Sequence, residues 1–394
     1  MSETKISKLT FWNIWISYAI YYFGKVNLSI VIPALLATIG GLSMYNVGLV
    51  ASGFLLTYAL GQFLHGQISE RFNPFVYISI GLIASGIVNL CLGFWGGFFL
   101  ILLIGEMCDG FFQSMGWSSC VRANALLQPA DQKEKSSILL GTSYQVGNSV
   151  AWLICAFSVG LWGWAAGFFV ASFFLIARGI SLLITKPDMP KIPCQKIKTQ
   201  ILKTLNPSII MGGLALCLLN MIRYGLIIWI PLYLFTLSNL AIASMGIIGL
   251  KICLLPIAGV LGTLLFHKLK INKDILATIF LIGLGISFFI LPFTAGWVSV
   301  AVLALGSFLL YGPHVFLVST LPSRFADEKL VAAATGFIDG MGYVGSVSVG
   351  IVVPFLVALA AGAWFNVFIF WGVLSMLTSI LTYISYRKFF KKES

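Results

Sequence analysis

Apolar residues run along this chain in stretches of about 20 or more, separated by short polar breaks. A helix needs ~20 apolar residues to cross the ~30 Å hydrocarbon core of a bilayer, so each stretch predicts a spanning helix. Twelve are present, at about 10–37, 45–69, 75–94, 97–123, 137–158, 163–185, 208–236, 243–266, 275–292, 297–321, 330–359 and 363–386. Charge tests that count. If the amino terminus faces the cytoplasm, six of the connections lie outside, and none of the six carries a Lys or Arg. The inside segments hold 21 of the 24 cations, from Lys5 and Lys8 to Lys391 and Lys392. A wrong span count would scramble this alternation, so the positive-inside rule supports twelve helices with both termini cytoplasmic.

Composition agrees. Of the 394 residues 59% are hydrophobic and only 9% charged, with a mean hydropathy of +1.00. Ordinary soluble domains are ~25% charged, so a soluble globule is excluded, as are disordered and collagen-like chains. The fold class is therefore all-α integral membrane. The formal charge of +12 would suggest nucleic acid in a soluble protein. Here it records topology, and the Lys186–Lys203 run reads as an inner-surface loop against anionic lipid. The first apolar stretch is too long for the core of a signal peptide and reads as a retained span. The seven Cys are scattered and the three His dispersed, so neither a metal site nor a cofactor is expected.

Residues 186–207 form the longest connection, with four prolines and five lysines, and divide the chain into bundles at 1–185 and 208–394. An internal repeat supports two related six-helix halves. Lys25 and Pro33 in the first helix, and Gly147 in the fifth, recur as Arg223, Pro231 and Gly345, each 198 residues later. Parallel repeats of this kind place a substrate site near the midplane, between the halves.

Topology leaves three cations unexplained: Lys25, Arg223 and Lys251. A charge at the centre of a span costs at least ~2.5–3.5 kcal/mol, so Lys25 and Arg223 should face the bundle interior. Helical spacing puts Tyr18, Tyr22 and Ser29 on the face of Lys25, and Asn220 one turn before Arg223. The two cations suit an anion, Arg with its planar fork and Lys as a point charge. Three acids, Glu106, Asp109 and Asp339, also lie within spans. They either neutralise the three cations as buried pairs or act as proton carriers. The glycine-rich piece from Gly336 to Gly350 follows no strand and reads as helix packing rather than a nucleotide loop.

At the inner end of the second helix, Gly66-Gln67-Ile68-Ser69-Glu70-Arg71 resembles the Gly-x-x-x-Asp-Arg signature of the major facilitator superfamily. Four further stretches are similar to the organophosphate:phosphate antiporters of that superfamily. They are Tyr21-Tyr22-Phe23-Gly24-Lys25-Val26-Asn27 through Pro33; Gln113-Ser114-Met115-Gly116-Trp117 through Arg122; Arg223-Tyr224-Gly225 through Pro231; and Tyr311-Gly312-Pro313 with Gly342-Tyr343-Val344-Gly345. The resemblance implies the major facilitator fold of two pseudo-symmetric six-helix bundles and exchange of an organophosphate for phosphate by alternating access. It implies that Lys25 and Arg223 bind the phosphoryl group, that Tyr58 and Tyr343 contact it, and that Glu70 and Arg71 form an inner-loop gate. It also implies a multi-pass monomer in a prokaryotic inner membrane, with a small anionic solute and the lipid bilayer as its partners and no nucleic acid.

The departures bear on the substrate. Lys25 stands where the family has Arg, Gln62 where glycerol-phosphate carriers have Lys, and Tyr144 where a His is found. Ser118-Ser119 replaces a Pro-Pro pair, and the second inner-loop signature is lost around Phe266-His267-Lys268. These losses weaken the case for a doubly charged ester and leave monoanions and carboxylates open. The alternative carrier is a proton-coupled symporter of a carboxylate or sugar-like solute, using Asp109, Glu106 or Asp339. The alternative outside carriers is a transporter-like sensor that binds without transporting. An enzyme is not expected, because no nucleophile, base and metal converge.

Overall fold

A computed structural model describes residues 3–69, 72–127, 133–186, 207–321 and 331–389. Among these the regular structure is helical. The first part of the chain contains α1 (Glu3–Thr38), α2 (Met44–Ile68), α3 (Pro74–Trp95), α4 (Phe99–Gln113), α5 (Met115–Leu127), α6 (Lys133–Trp162) and α7 (Trp164–Thr185). The second contains α8 (Pro207–Ser238), α9 (Met245–Ile252), α10 (Leu254–Lys268), α11 (Lys273–Ile290), α12 (Gly296–Val315), α13 (Val331–Leu359) and α14 (Phe365–Phe389). They supply twelve segments long and apolar enough to cross a membrane, matching the expected spans. Glu70 and Arg71 lie outside the described residues, as does all of the linker from 187 to 206.

The ends of the helices follow from local chemistry. Ser43 caps α2 reciprocally with Asn46, while Asn73 caps α3 ahead of Pro74, whose missing N–H costs nothing at a first helical position. A single residue, Gly163, joins α6 to α7 at φ 80°, ψ −178°, a conformation that essentially only glycine adopts. Two spans are broken in the middle. The fourth divides at Ser114, whose Oγ donates back to the Phe111 carbonyl at 2.6 Å. The eighth divides at Cys253, three residues before Pro256, which has no N–H to offer the Ile252 carbonyl.

The chain forms two compact units. One comprises Met1–Lys196 with Asn239–Cys253, and the other Ile197–Ser238 with Leu254–Ser394. Inside the first, α1 packs on α6 and α7, α3 on α7, and α2 on α4. Inside the second, α8 packs on α13, α11 on α14, and α10 on α12. These are the pairings that the repeat requires, and it extends to single contacts. A Cβ at Gly147 would strike the Ala19 carbonyl oxygen, and one at Gly345 would strike that of Cys217. Ala19 and Cys217 are themselves 198 residues apart. The two glycines therefore serve one purpose, letting equivalent helix pairs touch backbone to backbone.

Residues 239–253 fall by sequence in the second half, yet they group with the first unit. Small residues explain this. Gly249 of α9 sits against Ala156, where a Cβ would come within 2.6 Å of the alanine methyl, and Ser149 Oγ donates to the Cys253 carbonyl at 3.0 Å. On α2, Leu56, Leu60 and Leu64 form an exposed stripe at four-residue spacing. This is the outward face that a lipid solvent permits.

Candidate substrate and ion sites

Lys25 sits in the middle of α1 and is half-buried. Its Nζ lies 3.8 Å from the centre of the Tyr58 ring on α2 and 5.5 Å from that of Tyr22, one turn earlier on α1. Such cation–π contacts are worth ~0.5–2 kcal/mol each. Gln62, one turn beyond Tyr58, donates to the Tyr58 hydroxyl at 2.9 Å. Tyr22 stacks on Tyr144 of α6, with centroids 6.1 Å apart and planes at 28°. Lys25, Tyr22 and Tyr58 thus form one cluster, and two further family departures, Gln62 and Tyr144, belong to it. Ser29 faces away. Its hydroxyl donates to the Val26 carbonyl and accepts from Trp152 Nε1 at 3.0 Å.

Arg223 occupies the corresponding place on α8 and is 6% exposed. Its guanidinium carbon lies 4.9 Å from the Tyr224 ring centre and 5.7 Å from that of Tyr311 on α12. The Tyr224 hydroxyl interacts with Arg223 and donates to the Tyr343 hydroxyl of α13 at 3.0 Å. Asn220 is buried one turn before Arg223, its Nδ2 against Gly342. Arg223, Tyr343 and Asn220 are therefore neighbours. Tyr224 and His314 were not singled out from sequence. His314 is buried one turn beyond Tyr311, their rings 6.3 Å apart, and it feels the Arg223 charge. The signal available was spacing: Tyr311-Gly312-Pro313-His314 puts the histidine on the tyrosine's face.

The acids divide. Asp339 interacts electrostatically with Tyr224, and Lys251 lies half-buried on α9, two residues before the break at Cys253. Glu106 and Asp109 are buried together on α4. Among the described residues neither has a cationic partner, so of the two alternatives ion pairing finds no support at either acid. Asp109 instead accepts hydrogen bonds from Ser85 and Asn89 of α3, the latter at 3.0 Å.

Twelve apolar helices, with Lys25 and Arg223 at equivalent places of a repeat beside tyrosines, mark a polytopic membrane protein. The chain matches the Major Facilitator Superfamily over residues 14–350 and belongs to it. The membrane sensor protein UhpC of Escherichia coli is 25% identical over 94% of this chain and 90% of its own length. The probable hexose phosphate transport protein of Chlamydia pneumoniae is 22% identical, over 86% of this chain and 83% of its own. For the glycerol-3-phosphate transporter of Bacillus subtilis the figures are 23%, 85% and 82%. Among solved structures, a bacterial homologue of the human lysosomal transporter Spinster superposes with a TM-score of 0.78 at 14% identity, covering 98% of this chain and 97% of that one. A D-xylose–proton symporter superposes at 0.75 with 16% identity, covering 95% and 97%. The protein is a multi-pass membrane protein of this superfamily, and the relatives it is similar to are named as carriers and a sensor.

Proposed function

We propose that this protein carries a small organic anion, with organophosphates foremost, across the bacterial inner membrane in exchange for inorganic phosphate. The observation that carries this reading is the pair Lys25 and Arg223. Each is a mid-span cation, at equivalent positions of the repeat, with tyrosine hydroxyls and amides around it. An anion fits such a pair because a cation in a low-dielectric interior attracts an opposite charge more strongly than it does in water. Tyr22, Tyr58, Asn220 and Tyr343 hydrogen-bond the solute. The bundles at 1–185 and 208–394 rock around it as the two sides of an alternating-access carrier, with Glu70 and Arg71 holding one closed state. Relatives named for hexose phosphate and glycerol 3-phosphate support the choice of anion. A monomer with both termini cytoplasmic completes the reading.

The test is counterflow in proteoliposomes loaded with inorganic phosphate, screened against glycerol 3-phosphate, hexose phosphates and carboxylates. Uptake that needs internal phosphate supports exchange; uptake of carboxylates alone replaces the phosphate assignment. Full activity in both Lys25→Ala and Arg223→Ala would sink the two-cation site. The similarity to a membrane sensor favours one second reading, binding without transport. Saturable binding with no counterflow of any anion would establish it.

A further inference from the structure

Glu106 and Asp109 stand one turn apart on the same face of α4, fully enclosed by their own unit. The hydrogen bonds around them fix every amide orientation. Asn89 Nδ2 donates both to Asp109 Oδ2, at 3.0 Å, and to the Ser85 carbonyl, at 2.9 Å. Its oxygen must therefore face α1, where Asn27 Nδ2 donates to it at 2.6 Å. Ser85 Oγ gives its proton to Asp109 and accepts from Gln113 Nε2 at 2.8 Å. With these orientations set, three buried oxygens of this cluster have no donor among the described residues: Asn27 Oδ1, Gln113 Oε1 and Glu106 Oε1. All three are acceptors. The cluster is short of positive hydrogen, and its two acids add to the deficit.

The surrounding elements do not make it up. On α1, Tyr21 donates to the Ile78 carbonyl at 2.8 Å and Lys25 lies over the Tyr22 and Tyr58 rings. On α2, His65 pairs with Tyr77 of α3 at 2.6 Å. On α3, Cys91 is exposed. On α5, Cys120 is a buried thiol, and Arg122 donates to the Ser69 and Phe72 carbonyls. Nor does the fold demand the acids. In the second unit the repeat places Ala304 and Ser307 at the positions of Glu106 and Asp109, and Gly225 at that of Asn27, each 198 residues on. The same helix packing is achieved there without a charge.

We propose that Glu106 and Asp109 together bind one exchangeable proton, carried on Glu106, and that its gain and loss are steps of the transport cycle. Asp109, with a donor on each oxygen, is the stable carboxylate. Glu106, whose Oε1 has no donor among the described residues, is the member that accepts the proton. A proton needs one oxygen, whereas a sodium ion needs a shell of several. The route to the substrate is α1. Gly24, next to Lys25, has no side chain because a Cβ there would come within 2.9 Å of Leu175 and 3.1 Å of Ser85 Oγ, and would also strike Gln113. Asn27 lies two residues beyond Lys25. Rearrangement of the network on proton loss therefore moves the helix that presents Lys25.

Infrared difference spectroscopy on the purified full-length protein reads the proton without reference to any substrate. A buried carboxylic-acid carbonyl band is expected at neutral pH, absent in Glu106→Gln and lost at alkaline pH irrespective of sodium. In Asp109→Asn, where the neighbouring charge is gone, the band should disappear at lower pH. No such band at neutral pH overturns the proposal, as does displacement of the band by sodium at constant pH. A second arm measures inorganic phosphate in proteoliposomes. Uptake driven by a pH gradient should fall at least tenfold in Glu106→Gln while phosphate–phosphate exchange persists. Equal loss of both, or a wild type that ignores the gradient, reduces Glu106 to a structural acid and overturns coupling. Failure of organophosphate exchange alone would strike the proposed function and leave this site standing.

Discussion

Lys25 and Arg223 occupy equivalent places in the repeat, yet their surroundings have diverged. The ammonium is half-buried and lies on two tyrosine faces, one of them braced by Gln62. The guanidinium is almost fully enclosed and is met by a tyrosine hydroxyl, with His314 behind a second tyrosine. The physical difference suits the two cations. A point charge accepts a non-directional aromatic collar, while a planar fork needs partners in defined directions. Behind the cations the contrast is greater. The first unit fills its interior with Asn27, Asn89, Glu106 and Asp109, where the second has Gly225, Ser287, Ala304 and Ser307. Duplication therefore preserved the geometry of packing and the place of one charge, while each half acquired its own polar chemistry.

Six substitutions, in four comparisons, test that contrast. On the proposed anion-binding role, Arg223→Ala should lower uptake by about 100-fold or more, the effect of ~3 kcal/mol for truncating a charge that binds its counter-ion in a buried site. Lys25→Ala should lose less, and the initial rate of counterflow at fixed protein level compares the two. Ala304→Glu gives the second unit the acid of the first without Asn89 or Ser85 to support its neighbour. It should cost about 3 kcal/mol, the scale of an uncompensated mid-span charge, seen as reduced thermal stability in detergent. Gly147→Val and Gly345→Val should destabilise alike, by ~1–3 kcal/mol of overpacking. Unequal shifts in melting temperature would break the equivalence of the two contacts. Tyr58→Phe keeps the ring under Lys25 and removes only the hydroxyl, so a change of only a few-fold in affinity is expected, about 1 kcal/mol.

Much of this was legible in the linear chain. The spans emerge because hydropathy is additive over a window and the bilayer sets its length. The two cations emerge because a mid-span charge is costly enough to be rare, and the 198-residue offset joins them. Other features were not legible. Nothing in the spacing shows that the fourth span bends at Ser114 or that 239–253 groups with the first unit, since these depend on which small residues meet. The acids illustrate the limit best. Three acids and three cations in the spans balance on paper, but charge counting is blind to distance.

By itself, then, the sequence determined the class of solvent, the number of helices, the repeat and the identity of the mid-span charges. Each is a local or periodic property that survives without coordinates. Only the tertiary structure decided which polar groups meet. It gave Asp109 a donor for each oxygen from α3, left Glu106 Oε1 with none among the described residues, and put Gln62 on Tyr58 and His314 beside the Arg223 cluster. Pairing energies fall off within a few ångströms, and side chains distant in the chain come that close only when helices pack.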